Sequence, residues 1–185
     1  MRKYLWISIS LLFLLCPSAV ILADESTYKI GPGDMLEISV WKDESLFRDI
    51  SVPPDGVISY PLIGDIEAAG MTVTTLRKMI TERISEYVPD ATVTVILKNI
   101  SSLQVYVIGK VNNPGQFPIT MDTTVMQVLA MAKGLNPFAA AGNITILRRR
   151  QNVTVKIPFN YKEVEKGNNL EQNIVLQRGD VVVVP

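Results

Sequence analysis

The 185-residue chain has no histidine and a single cysteine, Cys16. Without histidine, Ser-His-Asp triads, Cys-His pairs and most zinc sites are excluded, and an enzyme would be left with carboxylate chemistry or an unusual nucleophile. No metal or other cofactor is expected. Charge of either sign is also lacking in excess: 18 Lys and Arg balance 18 Asp and Glu. Nothing in that balance predicts a polyanionic partner, so nucleic acid is not expected. Cys16 lies in the N-terminal apolar run, so the remainder has no disulfide framework and must be held by core burial or oligomerisation.

That N-terminal run has three parts. Arg2 and Lys3 precede apolar residues from Tyr4 to Leu15, and Pro17, Ser18, Ala19 and Ala23 lead to the polar Asp24. This is the layout of a secretory signal peptide, with cleavage expected after Ala23. Loss of Arg2 and Lys3 would leave a net charge of about −2. An uncleaved anchor is the rival, because Leu5 to Ala23 is about long enough to cross a bilayer, but Pro17 and its small neighbours favour cleavage. Lipidation at Cys16 would require small residues before it, and the chain offers Leu14 and Leu15.

Past the leader, patterning predicts an α+β fold of two small mixed-sheet domains, residues 24–102 and 103–185, each with a packed helix. "GPGDMLEISVW" turns at Gly31 to Asp34 and then alternates Leu36, Ile38 and Val40 with Glu37 and Ser39, which predicts a half-buried strand. Pro53 to Gly56 reads as the turn of a hairpin between two β-prone runs. Leu76, Met79, Ile80, Ile84 and Tyr87 have helical spacing, with Thr72 or Thr74 as cap and Pro89 as stop. A strand from Ala91 to Asn99 completes the first half. In the second, strands are expected over 104–109, 116–119, 144–149 and 153–158, with a last strand at the C-terminal valines. A helix is expected over 123–133, capped by Asp122 and closed by Gly134, and a polar segment lies around 161–167.

The halves echo one another. "IGDIEAAG" and "IGKVNNPG" share Gly spacing before a Thr-rich helix start, and "GDMLEISV" and "GDVVVVP" both send a Gly-Asp turn into a strand. These matches suggest two related hairpin-plus-helix units, the β-grasp arrangement.

Four motifs could carry chemistry. The stretch "VYVIGKVNNPGQFPIT" (105–120) lacks the spacing of a phosphate loop, Pro114 removes an amide donor, and a strand follows Gly115 instead of a helix; a hairpin fits better. Asp43-Glu44 and Glu163/Glu165 read as solvated loop charges, because adjacent acids on a strand face opposite ways. Arg178-Gly179-Asp180 reads as a turn. The run Arg148-Arg149-Arg150 is either a contact for acidic sugars or a partner's carboxylates, or an exposed edge guarded against aggregation.

Together, "YKIGPGDMLEISVW", "VPPDGVISYPLIGDIEAAGMTVTTL" and "VYVIGKVNNPGQFPI" resemble the outer-membrane polysaccharide export family of Wza type. The first two resemble its export domain and the third the opening of its soluble-ligand-binding β-grasp domain. The resemblance implies a periplasmic, outer-membrane-associated homo-oligomeric ring that carries capsular or exopolysaccharide from an inner-membrane polymerase and polysaccharide co-polymerase. It implies no catalytic residue, since a conduit lowers a transport barrier by enclosing a hydrated path. The chain ends at "VVVVP" without the C-terminal amphipathic helix of elaborated members, which leads us to expect a separate outer-membrane component. Sugar or subunit contacts are expected among Trp41, Tyr60, Asn112, Asn113, Arg148 and Arg149, although Trp41 and Tyr60 would equally serve as core or strand-end residues. The alternatives are a monomeric glycan-binding adaptor of an export complex and a carboxylate-dependent carbohydrate enzyme.

Overall fold

The structure is a computed structural model, and it describes residues 28–151 and 153–185. The expected signal segment 1–23, with Cys16 and the expected cut after Ala23, lies outside them. Among the described residues no helix is long and apolar enough to cross a membrane.

The alternation read at Leu36, Ile38 and Val40 is strand β1 (Met35–Val40), with those three side chains buried. It is the centre of an antiparallel sheet, flanked by β2 (Asp43–Ser51) and β5 (Val93–Asn99). A separate hairpin pairs β3 (Val57–Tyr60) with β4 (Gly64–Glu67). The Pro53–Gly56 turn therefore joins β2 to β3 without pairing them: β2 takes its ladder from β1 and β3 from β4. Turn chemistry is local, whereas pairing is decided by which apolar faces meet, so the expected hairpin sits one strand later.

Helix α1 (Val73–Ile84) closes this core. Thr72 caps it, its hydroxyl oxygen accepting from the Thr75 N–H at 3.1 Å. Leu76, Ile80 and Ile84 pack inward with Ile58 and Ile66, each burial contributing about 1.5–3 kcal/mol. Tyr87, expected on the same stripe, lies beyond the helix end and is exposed.

The second unit is a five-stranded mixed sheet in the order β7-β6-β10-β8-β9, comprising β6 (Gln104–Gly109), β7 (Gly115–Pro118), β8 (Ile144–Arg150), β9 (Val153–Phe159) and β10 (Val181–Val184). The last strand lies in the middle, parallel to β6 and antiparallel to β8. Helix α2 (Val125–Met131) covers one face through Val125, Val128 and Leu129, against Val105, Val107, Ile146, Val182 and Val184. It starts later than expected. Thr123 uses its hydroxyl oxygen to accept from the Thr120 N–H at 2.9 Å, and Thr124 becomes the cap, its N–H donating to Gln127 Oε1 at 2.8 Å. The polar segment after β9 contains a short helix, α3 (Tyr161–Glu165), capped by Asn160.

Among the described residues no helix covers the opposite face of this sheet. Tyr106 and Ile108 are 42% and 47% exposed there, in register with Val181 and Val183.

Candidate functional site

The Gly-Asp echo has a structural meaning. In Gly31-Pro32-Gly33-Asp34 and in Gln177-Arg178-Gly179-Asp180 the third residue is a glycine at φ +90° and +80°, which a side chain would strain. Each aspartate N–H donates to the carbonyl three residues back, at 3.1 and 3.0 Å. Each carboxylate in turn accepts that residue's N–H at 2.8 Å. Both carboxylates are buried, Asp34 at 0% and Asp180 at 1% exposure. The turn reading of Arg178-Gly179-Asp180 fits this geometry, and the integral role of the carboxylates was not visible in sequence. The Ile-Gly echo has no such counterpart, since Gly64 opens β4 whereas Gly109 closes β6.

Asp34 fastens the junction between the two units. Its Oδ1 accepts the N–H groups of Ser101 and Ser102 at 3.0 and 2.9 Å, and its Oδ2 accepts the Tyr28 hydroxyl. Burial alone would raise the carboxyl pKa, but hydrogen bonds from Tyr28, Gly31 and Ser102 outweigh it and hold the group below the ordinary value. Burial, aided by the bond to Asp34, pushes the Tyr28 phenol up to about 12. Arg178, from the other turn, donates through Nη2 to the Lys29 carbonyl at 2.7 Å and sits over the Tyr28 ring, 5.8 Å from its centroid. A groove of about 510 Å³ opens here, lined by Lys29, Leu103, Met121, Asp122 and Arg178 among others.

Asp180 binds Arg148 in a fork, accepting from Nε at 3.0 Å and from Nη2 at 2.6 Å, and Arg148 Nη2 also donates to the Val175 carbonyl at 3.0 Å. This corrects the reading of the basic run. Arg148 is 6% exposed and is neither a sugar contact nor an edge guard. It shares the inner face of β8 with Ile144 and Ile146, and three consecutive arginines mask that two-residue period. Arg149, one residue on, is on the exposed side.

Of the two readings of Tyr60, burial selects the core one. It is 2% exposed, and its hydroxyl donates to the Leu46 carbonyl, pinning β2 against the β3–β4 hairpin. Asn112 and Asn113 are exposed, but they also dock their loop on the end of α2: Asn112 Nδ2 donates to the Lys133 carbonyl at 2.7 Å and the Asn113 N–H to that of Ala132 at 2.9 Å. Gly109 has a packing reason. A Cβ there would lie 2.0 Å from the Val184 carbonyl oxygen, where β6 and β10 converge.

Trp41 differs from all of these. Val40 pairs with Asp43, so β1 and β2 are joined by Trp41 and Lys42 alone. Trp41 is 73% exposed and Phe47 44% exposed, beside an open cleft of about 600 Å³ that Ser39, Lys42, Asp43 and Glu44 complete. The Trp41 backbone N–H donates to the Thr92 carbonyl at 2.9 Å, which anchors the tip, and Lys42 holds a left-handed φ of +64°. Asp43 Oδ1 accepts from the Ser45 N–H and hydroxyl at 3.1 and 2.6 Å.

Glu163 accepts from Asn168 Nδ2 at 3.0 Å and faces Lys166 at 3.7 Å, the surroundings of a solvated surface charge. Among the described residues no three His, Cys, Asp or Glu side chains cluster as a metal site.

Comparison with known proteins agrees with the two-unit architecture. Residues 22–98 match the polysaccharide biosynthesis/export protein family and residues 103–184 the SLBB domain family. The EPS I polysaccharide export outer membrane protein EpsA of Ralstonia nicotianae is 30% identical over 89% of this chain and 49% of its own length. The polysialic acid transport protein KpsD of Escherichia coli is 28% identical over 60% of this chain and 20% of its own. For the exopolysaccharide production protein ExoF of Rhizobium meliloti the values are 29%, 69% and 33%. The chain thus spans about half the length, or less, of these curated relatives. With an export domain followed by an SLBB domain, the chain belongs to the polysaccharide export family.

Proposed function

We propose that this protein is a non-catalytic component of polysaccharide export, acting in the periplasm against the outer membrane as a homo-oligomeric ring around a hydrated path for capsular or exopolysaccharide. The observation that carries the reading is the extent of the family match. Both units are covered in sequence order, and the relatives are named for polysaccharide export, transport or production.

Assembly draws support from the open face of the second sheet. Tyr106 and Ile108 are exposed in register with Val181 and Val183, and β7 and β9 are sheet edges. Exposed apolar surface and unpaired edges mark interaction surfaces, and a head-to-tail contact that closes on itself gives a ring. An inner-membrane polysaccharide co-polymerase would deliver the polymer and a separate outer-membrane component would complete the route. Light scattering on the secreted form tests the assembly. A closed oligomer of fixed mass is expected, whereas a monomer at every concentration would favour the adaptor reading.

A further inference from the structure

We propose that the tip of the β1–β2 hairpin is a saccharide subsite for uncharged hexose units of the exported polymer, with the Trp41 indole as its stacking platform. The proposal rests on the export reading above. Its first ground is exposure: Trp41 is 73% exposed and the neighbouring Phe47 44%, and both residues line an open cleft. An aromatic face carries negative charge density and favours polarised hydrogens against it. The C–H face of a pyranose presents such hydrogens, and its ring edge presents hydroxyls.

The second ground is the polar lining. Ser39, Asp43 and Glu44 surround the rings with hydroxyl and carboxylate oxygens, which suits sugar hydroxyls as donors. Few well-placed polar groups around an apolar floor are the usual composition of a small-ligand site. The third ground is rigidity. Trp41 is anchored through its backbone N–H on Thr92, Asp43 Oδ1 is fixed by Ser45, and Lys42 keeps a left-handed backbone that only glycine adopts without strain. Strain retained at an exposed tip is a feature of functional positions.

Charge selects the class of sugar. Two carboxylates, Asp43 and Glu44, line the cleft with one cation, Lys42. The Arg48 guanidinium is turned onto the carbonyls of Ser45 and Phe47, at 2.9 and 2.6 Å from Nη1. A uronate or sialate would be repelled by those two carboxylates against one ammonium, while a neutral hexose carries no charge to be repelled and can donate its hydroxyls to Asp43 and Glu44.

Trp6 and Trp41 are the two tryptophans of the chain, so a full-length Trp6→Phe protein reports the tip alone by its fluorescence. Titration with β-linked glucose and galactose hexamers should give a saturable change in the millimolar range. A sialic acid hexamer should bind at least fivefold more weakly, the gap narrowing as salt rises. In saturation-transfer NMR, Trp41→Ala should lose at least tenfold of the neutral-sugar signal and Trp41→Phe should keep part of it. No saturable response to either neutral hexamer, or equal transfer to Trp41→Ala, would overturn the subsite. A changed oligomer mass for Trp41→Ala with unchanged sugar binding would overturn it too and reassign the tip to subunit contact. In a deletion strain, full export by a Trp41→Ala copy would sink the subsite and leave the export reading standing. Undiminished export in the deletion strain itself would sink that reading instead.

Discussion

Replacing Asp180 by Asn perturbs the second core at one ion pair. The change keeps the turn, because an amide oxygen can still accept the Gln177 N–H at the position now held at 2.8 Å. What it removes is the charge facing Arg148, whose guanidinium is forked onto Asp180 at 3.0 and 2.6 Å and is almost fully buried. An unpaired buried charge costs about 3–5 kcal/mol. Arg148→Met leaves the opposite charge with fewer partners, at about 2–4 kcal/mol. The double variant buries neither charge and should lose no more than about 3 kcal/mol, since a well-packed apolar replacement of a buried pair is often close to neutral. The coupling is therefore at least about 2 kcal/mol. Urea denaturation of the four proteins, followed by far-UV circular dichroism, measures it. Trp41 fluorescence in a Trp6→Phe background follows the first unit, whose separate core should be unaffected. Losses that add, or an Asp180→Asn protein within about 0.5 kcal/mol of the parent, would refute the assignment of this pair as the polar anchor of the second sheet.

Other outcomes follow from single contacts. Gly109→Ala drives a Cβ to 2.0 Å from the Val184 carbonyl oxygen at φ +96°, and should destabilise the second unit by about 3 kcal/mol or more in the same assay. Lys42→Gly relieves a left-handed lysine at φ +64° and should raise stability by about 0.5–1 kcal/mol, read by thermal melting; a loss would contradict the strain at the tip. The Tyr28 phenol is raised from 10.0 to about 12. Its contribution is complete below the unfolded value and is lost as pH rises from about 10 to about 12. The full shift corresponds to about 2.7 kcal/mol, reduced to on the order of 1 kcal/mol by partial exposure. Tyr28→Phe should remove that part of the alkaline stability loss, and an unchanged profile would show that the phenol does not take part.

Strand positions were legible wherever burial alternates over several residues, as at Leu36, Ile38 and Val40, because that period is a property of the chain itself. Strand partners were not, and the turn at Pro53–Gly56 shows why: its residues fix a local reversal, while pairing depends on apolar faces distant in sequence. The same limit hid the chemistry of the Gly-Asp turns. Their recurrence was visible, yet Asp34 meets Ser101 and Ser102 some 67 and 68 residues away, and Asp180 meets Arg148 across the sheet. Arg148 was misread because charge usually signals solvent, and only a buried carboxylate opposite could reverse that. Trp41 was recognisable as a candidate, but its exposure, unlike that of Tyr60, depends on a two-residue connection that places it beyond the sheet.

The role in export is tested most directly by where the polymer goes when the gene is deleted in frame and then restored. Surface and secreted polysaccharide should fall sharply, with polymer of unchanged sugar composition retained inside the outer membrane, and both effects should reverse on complementation. Undiminished secretion in the deletion strain would contradict that role.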